Sequence, residues 1–548
     1  LMAYFYILCF GLLSAYLFKT GEHLDWSVLA DNITSSFSKE ALTVMAGSLD
    51  PGTFLYVPVI IVIFIIFEVW KKAVSKGIQQ NKHIFKFIIL VTTYLFLLLI
   101  PIDSYDPIMS FFRTSINYYN NSNNVKATFE ETQSTFINDG THFNNINIPY
   151  AQKPHVFLLI LESLNTSSLG KETNGIEHTP FLNNLMNKSV YAENFYGNSV
   201  QTAKGHFATM FGMIPSTSGK VFTKFSDLDV ESIGTVLKRS GYDTSIFSAY
   251  HKRNFDNTYE YLIKRGFDRF QIVDKYLTED EKKLKFGWGT PDHIFFNKFP
   301  DFFNEISISG KPQFVIIKTS VAHFPFQCVH ESDRNIYPEP TKFKQYYANA
   351  INMTDKGIEV FYKKLKELGI LKNSIILITA DHAFPMGEHK NYHLEAGYHE
   401  ESFRIPLFIT WGDKLEPKII SRSFSQLDIA PTIIDLLSLD IGKNNFIGES
   451  IFSKKTDNPQ YLIQPYAKHF AIIAYPLKYR YNEKVNTEYV YDLVKDPMEE
   501  TNIIKSISED KLAYFRAHLK RIYLHQSSIE KNLFWPQGET TNSFDSPK

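Results

Sequence analysis

The clearest chemical signal in the sequence is the pair Asp381-His382, which follows a run of apolar residues. Residues 375–379 predict a buried β-strand, and ligands of open α/β sheets collect at the carboxyl ends of the strands. A carboxylate beside an imidazole at such a strand end can hold a divalent metal ion. A helix-capping Asp beside a surface His would give the same dipeptide, so other residues must decide between these two interpretations.

Two further apolar runs end in polar residues that suit the same site. Residues 155–161 are followed by Glu162, and residues 313–319 are followed by Ser320 and His323. If these runs are parallel strands, their ends meet at one edge of the sheet. We therefore expect carboxylate and imidazole groups from distant parts of the chain to converge there.

A hydroxyl nucleophile is available at Thr202, within the segment 194–216. This segment has a polar, glycine-containing approach and then a helix-like run, which places Thr202 near a helix N-terminus. The unpaired N–H groups and the dipole at such a terminus favour negative charge, including phosphate. A hydroxyl held there by a metal ion could lose its proton and attack phosphorus. An N-cap role would also account for Thr202 taken alone.

The elements that must position these residues follow an alternating pattern. Apolar runs at 155–161, 244–249, 313–319, 374–380 and 405–410 are separated by amphipathic stretches such as 345–369 and 426–438. Near-continuous apolar strands that alternate with helices are typical of a mostly parallel sheet covered on both faces. The sequence therefore predicts an α/β domain over residues 151–535, with a tail at 536–548.

Three apolar runs near the start, residues 2–18, 54–67 and 84–101, predict transmembrane helices within residues 1–102. Buried core helices, or a signal peptide for the first run, are the alternatives. The loop 70–86 carries five lysines and no acid, which indicates the cytoplasmic side. Residues 103–150, a predicted juxtamembrane helix and linker, and the α/β domain would then lie outside the cytoplasm.

Composition excludes two broad classes of protein. The formal net charge is −1, so no overall positive field favours nucleic acid as a partner. The chain has only two cysteines, Cys9 and Cys328, which are far apart in sequence and give no disulfide framework for a small secreted fold.

Taken in order, Glu162, Thr202 and Asp381-His382 resemble the metal and nucleophile residues of the alkaline phosphatase superfamily. The sequence is most similar to its sulfatase-like, membrane-anchored branch, the lipoteichoic acid synthase and phosphoglycerol transferase group. Further segments that resemble this group are 179–196, 320–326, 349–382, 399–409, 426–437 and 490–503. The resemblance covers roughly residues 150–505 and implies a central sheet between layers of helices.

The resemblance also implies a reaction. Glu162, Thr202, Asp381 and His382 would bind one divalent ion, Mn²⁺ or Zn²⁺ with Mg²⁺ also compatible. Thr202 would take a phosphoglycerol-type group from a membrane phospholipid as a phosphothreonine and pass it to an envelope glycan or glycolipid. His323 would bind the phosphate or protonate the leaving oxygen. The protein would be integral to the bacterial cytoplasmic membrane.

The resemblance also implies substrate contacts at His251 and Arg404, in addition to His323, with a buried salt bridge as the alternative role of Arg404. His389 and His393 lie within 17 residues of His382 and so could reach the same site, and surface-loop histidines are the alternative. The segment 248–262 departs from the group's headgroup-binding pattern: His251 fits, whereas Arg253, Phe255 and Asp256 stand where an Asp, a Trp and an Arg are expected. The identity of the headgroup therefore stays open.

Three other functions compete with this interpretation. A phosphoethanolamine transferase would share the metal and nucleophile plan, but such enzymes commonly carry several disulfides. A sulfatase or phosphodiesterase-type hydrolase is the second; a true sulfatase would need Cys or Ser in a C/S-x-P-x-R setting, where this chain has Thr-Ala-Lys-Gly. The third is an envelope-assembly protein that has kept the fold and lost its activity.

Overall fold

The computed structural model describes residues 107–120, 125–139 and 145–536, except 286–287, 328 and 455–457, together with the isolated residues 13, 24–26 and 28. The three predicted membrane spans lie outside these continuous segments. Within the described residues, no helix combines the length and the apolar character needed to cross a membrane.

Strands and helices alternate through most of the described chain, as the apolar pattern predicts. The strands are β1 (His155–Leu161), β2 (Glu172–Thr173), β3 (Ile176–Glu177), β4 (Val190–Tyr196), β5 (Asp243–Ser248), β6 (Arg269–Ile272), β7 (Gln313–Lys318), β8 (Ser374–Ala380), β9 (Leu407–Thr410), β10 (Lys418–Ser425), β11 (Gln460–Gln464), β12 (His469–Ala474), β13 (Leu477–Asn482) and β14 (Thr487–Asp492). The α-helices are α1 (Pro107–Asn120), α2 (Phe129–Phe136), α3 (Pro180–Met186), α4 (Thr202–Phe211), α5 (Val221–Lys224), α6 (Ile233–Arg239), α7 (Thr258–Ile263), α8 (Glu279–Lys283), α9 (Asp292–Asn297), α10 (Phe299–Ile306), α11 (Phe343–Glu367), α12 (Ile429–Leu436) and α13 (Glu509–Lys531).

A central sheet of eight strands, in the order β10-β4-β9-β8-β1-β7-β5-β6, organises the domain. Every neighbouring pair is parallel except β9, which runs antiparallel to both β4 and β8. The prediction of an α/β domain with a mostly parallel central sheet is therefore confirmed. β1 lies in the middle, between β8 and β7, so the ends of these three strands share one edge.

The central strands are buried along almost their whole length. All seven residues of β8 and six of the seven in β1 are buried. Because successive strand residues point to opposite faces, both faces of the sheet must be covered. On one face Phe157 of β1 meets Phe299 of α10 and Phe361 of α11 at ring-centroid distances of 5.5 and 5.8 Å.

Residues 125–139 and 145–150, which fall in the predicted linker, pack onto the α/β domain. The Ala127 amide donates to Ser527 Oγ at 2.9 Å, and the hydroxyls of Thr132 and Ser528 lie 2.8 Å apart. Phe136, at the end of α2, is fully buried and meets the His525 ring edge-on at 4.8 Å. Helix α2 is therefore part of the domain's packing against α13. Helix α1, near the predicted juxtamembrane helix, lies in a separate compact unit, residues 1–122.

A second sheet, not predicted from the sequence, follows the central one. Strands β11 to β14 form an antiparallel meander. Together with α13 they bury a separate apolar cluster that includes Phe470, Tyr479 and Phe515.

Candidate active site

The topology brings the predicted site residues to one edge of the central sheet. β1 and β8 are parallel neighbours with Leu161 opposite Ala380, so the residues that follow them, Glu162 and Asp381, leave adjacent strands at the same level. The amide of Asp381 donates to the Leu161 carbonyl at 3.1 Å and extends this pairing by one step. Two acidic side chains are thereby held side by side.

Glu162, Asp381, His382 and Thr202 form a tight cluster. His382 Nε2 lies 3.7 Å from Glu162 Oε1, 3.5 Å from Asp381 Oδ2 and 3.4 Å from Thr202 Oγ1. Glu162, Asp381 and His382 are all at most 3% exposed, and one atom from each of them lies within 4.8 Å of the others. The structure thus brings together all four residues that the resemblance assigns to a metal ion.

The free atoms of this cluster point toward each other. His382 Nδ1 donates to the Ala383 carbonyl at 3.0 Å, which leaves the Nε2 lone pair for the carboxylate side. Asp381 Oδ1 accepts from the amides of Ser163 and His382 at 2.9 and 2.8 Å, whereas the buried Oδ2 has no hydrogen-bond partner in the described part of the chain. The imidazole Nε2 and the unpartnered carboxylate oxygen are the types of ligand that a divalent metal ion takes in proteins.

The pKa values of the two neighbouring carboxyl groups, Asp381 and Glu162, also indicate that a cation fits between them. Burial and the nearby Glu162 raise the pKa of Asp381 to about 7. Burial alone would raise the pKa of Glu162 as well, but the charges of His323 and His382 lower it overall. Two buried carboxylates repel each other in this way when no cation lies between them.

Glu162 is oriented by two hydroxyl groups. Ser163 Oγ donates to Glu162 Oε1 at 2.7 Å, and the Tyr250 hydroxyl donates to Oε2. Hydrogen bonds of this kind hold a metal-binding carboxylate in its orientation. Tyr250 follows β5, so a third strand end contributes to the site.

Helix α4 places Thr202 at its first turn, as predicted. The preceding residue, Gln201, makes no side-chain capping bond, so the first N–H groups of the helix stay available for an anion. Gly205 permits a very close approach to β8, because a Cβ at this position would lie 1.8 Å from the Asp381 carbonyl oxygen. Gln426 Nε2 donates to the same carbonyl at 2.7 Å.

An open cleft of about 460 Å³, counting the part that opens to solvent, lies beside Thr202. Its lining includes His206, Tyr250, Lys318 and His323. His323 Nδ1 donates to the Phe324 carbonyl at 2.8 Å, so Nε2 is the ring nitrogen available to a substrate. His323 therefore lies where the resemblance places a phosphate-binding or proton-donating residue.

In the structure, the side chains of two of the predicted substrate contacts are bonded to other groups of the protein. His389 joins Glu401 Oε1 at 2.8 Å and the Met498 carbonyl at 2.7 Å. Arg404 Nη2 donates to the Glu193 carbonyl at 2.7 Å. Neither residue lines the cleft.

The other two predicted contacts also lie outside the cleft lining. His251 Nδ1 lies 3.1 Å from Asp274 Oδ1, and the half-buried His393 donates its backbone N–H to Asn391 Oδ1 at 3.0 Å. Of the five histidine and arginine contacts expected from the sequence, the cleft lining includes only His323.

A second group of potential ligands, His389, His399 and Glu401, has a different geometry. The two imidazole rings are stacked with centroids 3.7 Å apart and planes 11° apart. The lone pairs of an imidazole lie in its ring plane, and a metal–nitrogen bond is about 2.0–2.1 Å long. One ion cannot lie in two nearly parallel planes at that distance, so this group is an ion-paired network in the present conformation.

Sequence reasoning missed Lys318, His206, Tyr250 and Gly205 as residues of the site. Lys318 had a readable signal, since it interrupts the apolar run 313–319 near its end. His206 stands four residues after Thr202 and so shares its helix face. Gly205 and Tyr250 had no such signal, because their roles depend on how close α4 and β5 come to the strand ends.

The sequence matches two models of known protein families. Residues 154–439, about half of the chain, match the family model described as "Sulfatase". Residues 387–525 match the model described as "N-sulphoglucosamine sulphohydrolase, C-terminal".

Curated relatives include a lipoteichoic acid synthase-like protein, YvgJ, from Bacillus subtilis (strain 168). It is 27% identical over 320 residues, which cover 55% of this chain and 50% of the relative. The lipoteichoic acid synthase of Staphylococcus aureus (strain USA300) is 27% identical over 323 residues, which cover 56% of this chain and 48% of the relative. The chain thus spans about half the length of the curated relatives it matches.

Solved structures share the fold. The lipoteichoic acid synthase LtaP from Listeria monocytogenes superimposes with a TM-score of 0.60 at 21% identity, over 74% of this chain and 98% of that one. An alkaline phosphatase superfamily protein from Vibrio parahaemolyticus gives a TM-score of 0.59 at 20% identity, over 74% and 96%. From the family match, the relatives and this shared fold, the chain belongs to the sulfatase family, as a lipoteichoic acid synthase-like member of the alkaline phosphatase superfamily.

Proposed function

We propose that the chain is a metal-dependent phosphotransferase of the bacterial cell envelope. It moves a phosphoglycerol-type group from a membrane phospholipid to a glycan or glycolipid acceptor through a phosphothreonine at Thr202. The observation that carries the proposal is the Thr202 hydroxyl, 3.4 Å from His382 Nε2 and at the uncapped start of α4. A bound divalent ion would lower the pKa of the hydroxyl and neutralise charge on the phosphate.

The protein's own groups account for the two halves of the transfer. Thr202 Oγ1, after losing its proton to solvent, forms a bond to phosphorus while the bond from phosphorus to the diacylglycerol oxygen breaks. Protonated His323 gives its Nε2 proton to that leaving oxygen. In the second half, His323 takes the proton from the acceptor hydroxyl, whose oxygen forms a bond to phosphorus. The bond from phosphorus to Thr202 Oγ1 breaks, and Oγ1 leaves as the alkoxide with which the cycle began.

The first N–H groups of α4 hold the transferred phosphate in both halves. They point along the helix axis and carry the positive end of its dipole, so their attraction for the phosphate is strongest as negative charge builds up on its oxygens. Because these groups are fixed by the fold, they need no rearrangement during the reaction.

The proposed location follows from the predicted topology and the relatives. With residues 70–86 in the cytoplasm, the domain that follows the third apolar run faces outward. Phospholipid headgroups of the outer leaflet and envelope polymers would then both be available to the site.

The test is mass spectrometry of the full chain in lipid nanodiscs that contain phosphatidylglycerol and phosphatidylethanolamine, with Mn²⁺ added. A glycerol phosphate adduct on Thr202 is expected, and Thr202→Ala should abolish both adduct and transfer. Thr223→Ala, at an exposed threonine outside the cleft, is the matched control.

Each alternative function predicts a different outcome. A phosphoethanolamine adduct on Thr202 would identify the rival transferase. Transfer that persists in Thr202→Ala would remove the phosphothreonine from the mechanism. A chain that binds no metal on dialysis against Mn²⁺ or Zn²⁺ would favour the envelope-assembly function.

A further inference from the structure

The cleft beside Thr202 carries an excess of positive charge away from the metal cluster. Lys252, Arg253 and Lys318 line it, and the only acid in the lining is Asp256. The Asp256 carboxylate is already paired with Lys220 Nζ at 2.9 Å. A ligand group that extends from Thr202 into this part of the cleft therefore meets cations with no free acid among the lining residues.

Lys318 is the buried member of this set. It closes β7, pairs in register with Ser248 of β5 and Ile160 of β1, and is 6% exposed. Its Nζ lies 5.5 Å from the Tyr250 ring centroid, and in the described part of the chain it makes no hydrogen bond or ion pair. A buried ammonium without a partner is costly, which points to a ligand as its missing partner.

A second buried lysine, Lys478, has its charge neutralised by carboxylates of the protein itself. Lys478 Nζ lies 3.0 Å from Glu499 Oε1 and 3.2 Å from Glu400 Oε1. Lys318 has no carboxylate at such a distance. Burial lowers the pKa of Lys318 to about 8, although the charges of Asp381, Glu162 and Asp256 favour the ammonium. A divalent ion would neutralise the charges of Asp381 and Glu162.

We propose that Lys318 selects the donor headgroup by accepting one that ends in hydroxyl groups and rejecting one that ends in an ammonium. A hydroxyl oxygen can accept a hydrogen bond from Lys318 Nζ, whereas an ammonium has no lone pair to offer and brings a like charge. The inference rests on the proposed function only in placing the headgroup phosphate at Thr202.

A binding experiment tests the selection without any transfer. Calorimetry on the Mn²⁺-loaded full chain compares glycerol phosphate with phosphoethanolamine, which share the phosphate and differ in the terminal group. We expect tighter binding of glycerol phosphate, and a preference that falls on the order of tenfold in Lys318→Met. Lys318→Arg should keep the preference. Lys311→Met, at an exposed lysine just before the other end of β7, should leave it unchanged.

Lys318→Gln removes the charge but keeps a polar side chain, so it replaces Lys318→Met if that variant does not fold. An unchanged preference in a folded, uncharged variant would overturn the inference. Equal binding of the two headgroups by the wild-type chain would overturn it as well.

A transfer experiment separates this inference from the proposed function. Nanodiscs with equal amounts of phosphatidylglycerol and phosphatidylethanolamine report the ratio of the two Thr202 adducts. If the adduct ratio is the same in wild type and Lys318→Met, the proposed role of Lys318 is contradicted and the proposed transferase function is not. If calorimetry shows the headgroup preference but no adduct forms on Thr202, the proposed transferase function is contradicted and the proposed role of Lys318 is not.

Discussion

In the described part of this domain, two groups of histidine and carboxylate residues lie close together, and one of the two is arranged for a metal ion. Glu162, Asp381 and His382 present a free oxygen and a free nitrogen to a common point. In the other group His389 uses both ring nitrogens on protein acceptors, and its ring is stacked on His399. Both groups contain the same types of residue. They differ in whether their potential ligand atoms are left without protein partners and point to a common position.

The largest expected effect comes from removing a ligand of the first group. Asp381→Asn should lower transfer activity roughly a thousandfold or more, since a bound metal supplies several kcal/mol to the transition state. Metal content measured by mass spectrometry should fall with it. Glu401→Gln is the matched change in the second group, and loss of metal in that variant would contradict the comparison.

The second largest effect is expected at the close approach of α4 to the end of β8, and it again tests the difference between the two groups. Gly205→Ala would push the helix start away from the Asp381 carbonyl, and a displacement of this kind can cost about a hundredfold in rate. Gly397→Ala is its counterpart near the second group, where the added Cβ meets the movable Ser402 hydroxyl at 2.1 Å. Steady-state rates should fall in the first variant and stay near wild type in the second.

Removing a single hydroxyl should have a smaller effect. Tyr250→Phe deletes the hydrogen bond to Glu162, and loss of such a bond weakens metal binding about 10- to 100-fold. Tyr196→Phe deletes a comparable bond to Glu400 at 2.9 Å, outside the first group. Titration with Mn²⁺ should distinguish the two variants, and equal affinities would show that Tyr250 does not orient the ligand.

The smallest effect belongs to the second group and depends on pH. Burial lowers the pKa of His389, but the Met498 carbonyl and Glu401 outweigh burial and raise it overall. The charged ring therefore stabilises the fold fully below about pH 6.5, and this stabilisation is lost as the pH rises through the higher folded value. His389→Gln should cost at most about 1 kcal/mol, because the ring is partly exposed.

Urea unfolding at about pH 6 and about pH 9 measures this difference between wild type and His389→Gln. We expect the two curves to differ at the lower pH and to approach each other at the higher one. A difference that grows with pH would show that His389 is not held as an imidazolium.

The sequence allowed the first group to be predicted because each member follows an apolar run. Glu162 and Asp381 come directly after β1 and β8, and parallel strands align their ends. The helix start at Thr202 was readable from the same kind of local pattern. Local periodicity therefore predicted the fold class and the candidate residues at the strand and helix ends, whereas the resemblance to the alkaline phosphatase superfamily supplied the set of four.

Residues whose roles depend on distance between elements were not predictable in this way. His389 lies seven residues after His382 in sequence, yet the loop directs it to Met498 instead of the cleft. Gly205 matters only because α4 touches β8. The antiparallel β11–β14 sheet was missed because its alternating residues fall in short strands without a distinctive motif.

The contact between α2 and α13 determines how many N-terminal residues can be removed without exposing the core of the domain. Gln133 Nε2 donates to the Phe534 carbonyl at 2.7 Å, and Lys531 Nζ donates to the Ala127 carbonyl at 2.9 Å. A recombinant fragment that begins at residue 151 would lack α2 and expose the His525 and Phe534 rings that Phe136 contacts, whereas one that begins near residue 123 would keep them covered. Crystallisation trials and assays of the isolated domain should therefore use the longer fragment.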